Sequence, residues 1–278
     1  MTARLLGGRG LARRIEEDVR TEAALRTRDR GRPPVLCALA VDPDAGERSY
    51  LAIQARIARE VGIVYRTEVL AGEAGTKEVV DAVRALCEDR QVDGVFLSLP
   101  LPAAVDTEAA LEALDPERDV DAIGRSCLSR LLVSEEARMP ATARAVITIL
   151  EEAKVALAGA RVTVIGRGRT AGLPILLGLM HAGATVTVVS RFDAALSQHV
   201  RTADLLVTAV GEPGLVRARD LRPHSIVVDV GTAEEGGILR GDVEPQARDV
   251  CAAFTPVPGG VGPVTTAFLM KGTLEVLR

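Results

Sequence analysis

Apolar positions in the first half of the chain fall into short continuous runs that alternate with amphipathic stretches. Leu11, Ile15, Val19 and Leu25 recur at near-helical spacing with charges between them, predicting a helix over residues 10–28 that Gly31, Pro33 and Pro34 end. Residues 35–41 are uninterrupted apolar sequence, the mark of a buried strand. Residues 42–48 read as a loop, Ser49 as the N-cap of a helix through Val61, and Gly62 as its stop. A second strand is expected over 63–70. Thr76 is placed to cap a helix with Val79, Val80, Val83 and Leu86 inward, and a third strand over 92–99 runs into Pro100-Leu101-Pro102. A short helix over 108–114, an irregular stretch from Asp119 onward and a helix over 145–156, opened by Ala141-Thr142, complete this half.

The second half repeats the alternation more cleanly. Strands are expected over 161–165, 185–190, 204–210 and 225–230, with helices over 173–182 and 194–201 and a short segment near 218–221. Such β-loop-α alternation favours parallel strands joined by right-handed crossovers, and here it has the doubly wound nucleotide-binding pattern. Residues 255–266 break the periodicity. Pro256, Pro258 and Pro263 remove backbone donors, while Gly259, Gly260 and Gly262 permit close backbone approach. A stiff, glycine-faced loop running into an apolar terminal helix suits a flat ligand; a stiff connector fits the same description.

Composition narrows the class. The 278 residues are 47% apolar and 26% charged, enough for one large or two smaller soluble α/β domains. A formal charge of −4, a pI near 5.6 and few aromatic residues give no case for a nucleic-acid partner. Cys37, Cys87, Cys127 and Cys251 are scattered, and His181, His199 and His224 lack ligand spacing, so reduced thiols and no metal are expected. The first residues have no signal-like apolar core, and no run of 18 apolar residues occurs. A cytoplasmic protein without membrane contact is the expectation.

Chemistry concentrates in a few places. Gly166, Arg167, Gly168, Arg169, Thr170 and Gly172 lie between a strand and a helix, where backbone N–H groups and the helix end can receive a pyrophosphate. The spacing is GxGxxxG, one residue longer than the usual fingerprint, and a tight turn without a ligand meets it too. The next strand ends in Ser190-Arg191 rather than an acidic residue, which favours the 2′-phosphate of NADP over NAD; a solvated arginine is the bland alternative. Tyr50 and Gln54 share a helix face, and Asp121 sits in an acidic segment that a turn would also explain.

Together these pieces resemble the bifunctional methylenetetrahydrofolate dehydrogenase/methenyltetrahydrofolate cyclohydrolase family over nearly the whole chain. The resemblance rests on Ser49-Tyr50, Leu99-Pro-Leu-Pro102, Asp119-Val-Asp121, the turn from Gly166 to Pro174 and Ala203-Asp-Leu-Leu206. It continues in Val228-Asp-Val-Gly231, Gly241-Asp-Val243 and the run from Thr255 to Pro263. It implies an N-terminal α/β folate lobe over 1–137, completed by 262–278 as the C-terminal helix returns. It also implies an NADP-binding Rossmann lobe over 138–261, a folate cleft between the lobes and a homodimer. By the same resemblance, Tyr50 would stack on the folate and Asp121 would bind its pterin edge. Pro100, Pro258, Gly259, Gly260, Gly262 and Pro263 would line the substrate site.

The departures carry as much information as the matches. The family's Tyr-x-x-x-Lys has its lysine where this chain has Gln54, and its Gln-Leu-Pro-Leu-Pro begins here with Ser98. Its Asp-Val-Asp-Gly ends here in Ala122, and its Pro-Cys-Thr-Pro becomes Pro140-Ala-Thr-Ala143. Hydride loss from the methylene carbon needs positioning rather than a base. Adding water to the resulting cation moves protons, and acid–base help there is worth on the order of 10²–10⁴-fold. An amide cannot supply it. The expectation is a dehydrogenase with Tyr50, Gln54, Ser98 and Asp121 at the reacting centre and cyclohydrolase lost or weak. The alternatives are a related oxidoreductase recruited to another pterin or one-carbon substrate, and a silent folate or nucleotide binder.

Overall fold

The computed structural model describes residues 3–277. Its strands are β1 (Arg4–Leu5), β2 (Val35–Val41), β3 (Val64–Leu70), β4 (Gly94–Leu97), β5 (Arg161–Ile165), β6 (Thr185–Val189), β7 (Leu205–Thr208), β8 (Ile226–Asp229), β9 (Ala233–Glu235), β10 (Ile238–Arg240) and β11 (Ala253–Phe254). Its helices are α1 (Arg9–Arg30), α2 (Ala45–Glu60), α3 (Thr76–Glu88), α4 (Thr107–Ala113), α5 (Arg125–Val133), α6 (Ala141–Glu152), α7 (Gly172–His181), α8 (Leu196–Thr202) and α9 (Val261–Glu275). The chain divides into two compact units.

One unit holds Ser134–Thr265 together with the N-terminal residues through Ala12. Its sheet has six strands in the order β1-β11-β8-β7-β5-β6, all paired in parallel. The other unit holds Arg13–Val133 and the chain from Thr266 onward, around a parallel sheet ordered β3-β2-β4. Alternation along β2 sends Cys37, Leu39 and Val41 into a core with Val79, Val83 and Leu86 of α3. The parallel α/β class follows the sequence pattern. Against the expected 1–137 completed by 262–278, and 138–261, the C-terminal chain joins the three-stranded unit from Thr266. The residues through Ala12 fall in the other unit, where β1, two residues long and without periodicity, pairs with β11.

Three other expectations need correction. Helix α2 starts before Ser49: Asp44 is its N-cap, its carboxylate accepting from the Glu47 N–H at 2.8 Å. Helix α5 occupies the stretch expected to be irregular after Asp119. Helix α9 begins at Val261, so Gly262 and Pro263 form its first turn, where proline's missing donor costs nothing. The loop before it is pressed against the N-terminal segment. Gly8 N–H donates to Gly259 O at 2.9 Å, and a Cβ on Gly8 would sit 1.9 Å from Gly260 O.

In the three-stranded unit, residues 119–124 are held beside β4. Val95 N–H donates to Arg118 O, Val120 N–H donates to Val95 O, and the Asp119 carboxylate accepts from Gly124 N–H at 2.8 Å. Val120 is wedged so closely that a Cβ on Gly94 or Gly272 would lie 2.3 Å from it. The turn leaves Ala122 at φ 54°, a left-handed conformation that favours glycine. We therefore expect Ala122→Gly to stabilise the protein by about 1 kcal/mol. Urea unfolding midpoints check this; a lower midpoint would contradict the strain.

In the six-stranded unit, two buried carboxylates tie the strand ends together. Asp242 accepts from the Thr208 hydroxyl, from Val210 N–H at 2.9 Å and from Glu212 N–H at 2.7 Å. Asp229 accepts from Asp242 N–H at 3.1 Å and Val243 N–H at 3.0 Å, while its own N–H donates to Thr255 Oγ1 at 2.8 Å. Burial first, and the neighbouring Asp242 charge second, push the Asp229 carboxyl up to about 7. The unfolded chain releases that proton near pH 4, so between about pH 4 and 7 the folded state binds more protons. Stability should thus fall as pH rises through that window and level off above it. Urea titrations at several pH values should show Asp229→Asn losing up to about one proton's worth of this slope; an unchanged slope would contradict the assignment.

Candidate active site

The polar centre of the three-stranded unit is built by α2, β3, the 119–124 segment and α9. Gln54, on α2, is entirely shut off from solvent. The Tyr65 hydroxyl, from β3, donates to Gln54 Oε1 at 2.8 Å. Tyr50 lies one turn earlier on α2, with Thr266 and Gln54 at its hydroxyl and Asp121 close enough to act on it electrostatically. Burial, then the Asp121 charge, push Tyr50 up to about 12, while Thr266 and Gln54 pull it down. Burial also drives Tyr65 far above the usual phenol range. Both phenols therefore stay protonated near neutrality, and Gln54 has no proton to exchange.

The other end of the amide is unusual. Gln54 Nε2 is buried with no formed hydrogen bond. A buried donor left this way costs about 1–3 kcal/mol, so the site keeps a donor that the protein itself does not satisfy. Ser98 directly follows β4, its N–H donating to Leu39 O at 2.9 Å. Leu97 points into the α3-side core, so alternation turns Ser98 to the opposite face, as register also turns Tyr65. Pro100, after a cis Leu99–Pro100 bond, is exposed.

The glycine turn of the six-stranded unit follows β5. Gly166 has φ 97°, and a Cβ on Gly172 would lie 2.3 Å from Gly166 O, so only glycine closes this turn into α7. Gly168 is open to solvent, with nothing within 4 Å of a Cβ placed there. The turn therefore brings bare backbone to the N-terminal end of α7. Arg167 and Thr170 are exposed and Arg169 is half-buried. At the end of β6, Ser190 Oγ accepts from Phe192 N–H at 3.2 Å. Arg191 lies 4.7 Å from the Phe192 ring centre and pairs with Glu212 at 3.5 Å. That pair is about half exposed on both sides and so worth little, leaving the guanidinium able to exchange partners.

Of the residues singled out from sequence, Tyr50, Gln54 and Asp121 come together, and Ser98 shares their sheet face. Gly166 to Thr170 and Ser190-Arg191 stand at adjacent strand ends, since β5 and β6 pair. Pro258, Gly259 and Gly260 belong to the six-stranded unit, seated on Gly8 and Arg9; Gly262 and Pro263 open α9. Sequence reasoning missed Tyr65, Thr266 and the Asp229–Asp242 pair. Tyr65 is one of only two tyrosines, and its place on a strand whose helix carries Gln54 was the available signal.

Known proteins identify the family. Residues 6–121 match the tetrahydrofolate dehydrogenase/cyclohydrolase catalytic domain and residues 140–278 its NAD(P)-binding domain. The chain is 37% identical over 275 residues to the bifunctional protein FolD of Methanospirillum hungatei, covering 99% of this chain and 97% of that one. It is 39% identical over 280 residues to the bifunctional protein FolD of Arthrobacter globiformis, covering 100% and 96%. The crystal structure of Trypanosoma brucei methylenetetrahydrofolate dehydrogenase-cyclohydrolase, complexed with NADP and an inhibitor, is similar at a TM-score of 0.92 and 33% identity, covering 99% and 97%. With both domain models matched and relatives alike along their whole length, the chain belongs to the tetrahydrofolate dehydrogenase/cyclohydrolase family.

Proposed function

We propose that the protein is an NADP-dependent 5,10-methylenetetrahydrofolate dehydrogenase whose cyclohydrolase activity is lost or severely weakened. One observation supports the second half: Gln54, where the resemblance implies a lysine, is a solvent-free amide hydrogen-bonded to Tyr65. The Gly166–Gly172 turn would hold the cofactor's pyrophosphate, and Ser190 with Arg191 would meet its 2′-phosphate, Arg191 leaving Glu212 to do so. NADP⁺ supplies the hydride acceptor. The chain's own part in that step is placement: Tyr50 offers a ring face to the pteridine and Asp121 an acceptor to its edge, both fixed by α2 and the 119–124 segment. No base is needed, since the adjacent nitrogen lone pair drives the hydride off.

Hydrolysis of the methenyl cation is different. Water must lose a proton as it adds, and a ring-nitrogen bond must break. Tyr50 and Tyr65 hold their protons too tightly to accept this task and Gln54 has none to move. A second reading, recruitment to another pterin, is favoured by the same Gln54 and by Ser98, which alter the polar lining. Brisk turnover of methylenetetrahydrofolate would exclude it. We place the protein in the reducing cytoplasm, which suits four cysteines that form no disulfide among the described residues. We also infer a homodimer: β3 is a sheet edge whose Val64 and Val69 are 40% and 56% exposed, an edge that a second copy would cover.

Three outcomes are expected. With NADP⁺ and methylenetetrahydrofolate, absorbance should report NADPH formation together with a methenyl product that accumulates; rapid decay of that product would contradict the loss of cyclohydrolase. Gln54→Lys should raise hydrolysis at least tenfold, within the range of acid–base help; no gain would shift the defect to Ser98 or substrate placement. Light scattering should return twice the chain mass, and a Val69→Lys edge substitution should shift it toward the monomer; a monomeric parent would refute the dimer.

A further inference from the structure

Tyr65 lies outside every motif that marks the family in this chain, yet its hydroxyl donates to the Gln54 side chain. That bond settles which way round the amide sits. With Oε1 taken by the Tyr65 hydroxyl at 2.8 Å, the NH2 edge must face the other way. Tyr50, one turn earlier on the same face of α2, is the neighbouring phenol on that side. Nε2 itself makes no well-formed hydrogen bond, although the residue is wholly buried. A locked amide with one end satisfied and the other waiting, beside the ring expected to stack on the substrate, is arranged for an acceptor that arrives with the substrate.

We propose that Tyr65 is a positioning residue for the reaction, holding Gln54 so that Nε2–H donates to an uncharged lone pair on the folate, a carbonyl oxygen or an amine nitrogen. The proposal rests on the dehydrogenase reading and deepens it. Gln54 then does more than lack the lysine's proton chemistry. It replaces a charged donor by a neutral one whose direction is set from β3, and the fixed direction saves the ordering cost that a free side chain would incur on binding. Because the donor faces substrate before and during hydride loss, its removal should weaken binding more than it slows the chemical step.

Two variants test this in the full-length enzyme with NADP⁺ and methylenetetrahydrofolate. Tyr65→Phe frees the amide to rotate and should raise KM about tenfold while kcat falls much less, the effect of one lost hydrogen bond. Gln54→Glu keeps an acceptor for Tyr65 but has an outward N–H substitute only while its carboxyl is protonated. The groups facing it are Tyr50 from α2, Tyr65 from β3, Asp121 from its loop and Thr266 from α9, with Cys37 of β2 acting on Tyr65. Its KM should therefore climb between pH 5.5 and 8.5 by about tenfold more than the parent's, a titration that a packing role would not produce. A parental KM in Tyr65→Phe, or a pH dependence of KM in Gln54→Glu that matches the parent's, overturns the proposal while the dehydrogenase reading stands. No turnover by the unaltered enzyme overturns that reading and this one with it.

Discussion

Exclusion of water around Gln54 is the constraint from which the site's chemistry follows. A polar side chain sealed from solvent must be neutral or paired, because an uncompensated charge there costs several kcal/mol. This chain uses an amide, fastens one end of it to a phenol and leaves the other end bare. Burial also pushes both neighbouring phenols well above the range in which they could trade protons at neutral pH. The centre that results offers directional contacts, and the side chains described there, Tyr50, Gln54, Tyr65, Asp121 and Thr266, include neither amine nor imidazole.

The six-stranded unit obeys the same rule by another route. Its buried carboxylates are tolerated because backbone N–H groups and a hydroxyl surround them, and one of the pair keeps its proton up to about pH 7. Through those bonds Asp242 fixes the loop from Val210 to Glu212, and Glu212 in turn meets Arg191. Asp229 reaches Thr255 at the head of the proline–glycine loop. Glycine is required at 231 and 241 because a Cβ at either would strike the facing carboxylate at 2.0 Å. The acidic pair thus organises several loops that the family's motifs mark separately.

Much of this was legible in the sequence, and the limits have physical causes. The strand at 35–41 and the alternation from 161 onward announced themselves because buried parallel strands are continuous apolar runs. Strand β1 and the β9–β10 hairpin were invisible, being too short to carry a period. Asp44 rather than Ser49 caps α2, since either can supply the acceptor and only the packed helix decides. Gln54 stood out through a departure from a pattern. Tyr65 did not, because its partner lies across a helix–strand contact that sequence order does not reveal. Ala122 shows the converse: a replaced glycine was visible, but the left-handed backbone that explains it belongs to the fold.

Family membership alone would assign this chain two activities, and the amide at position 54 argues for one. Supplying the methenyl compound directly, without NADP⁺, and timing its disappearance against buffer isolates the water-addition step from hydride transfer. The account predicts decay within a few-fold of the uncatalysed rate. Acceleration by two orders of magnitude or more, the range that a working acid–base group provides, would contradict it.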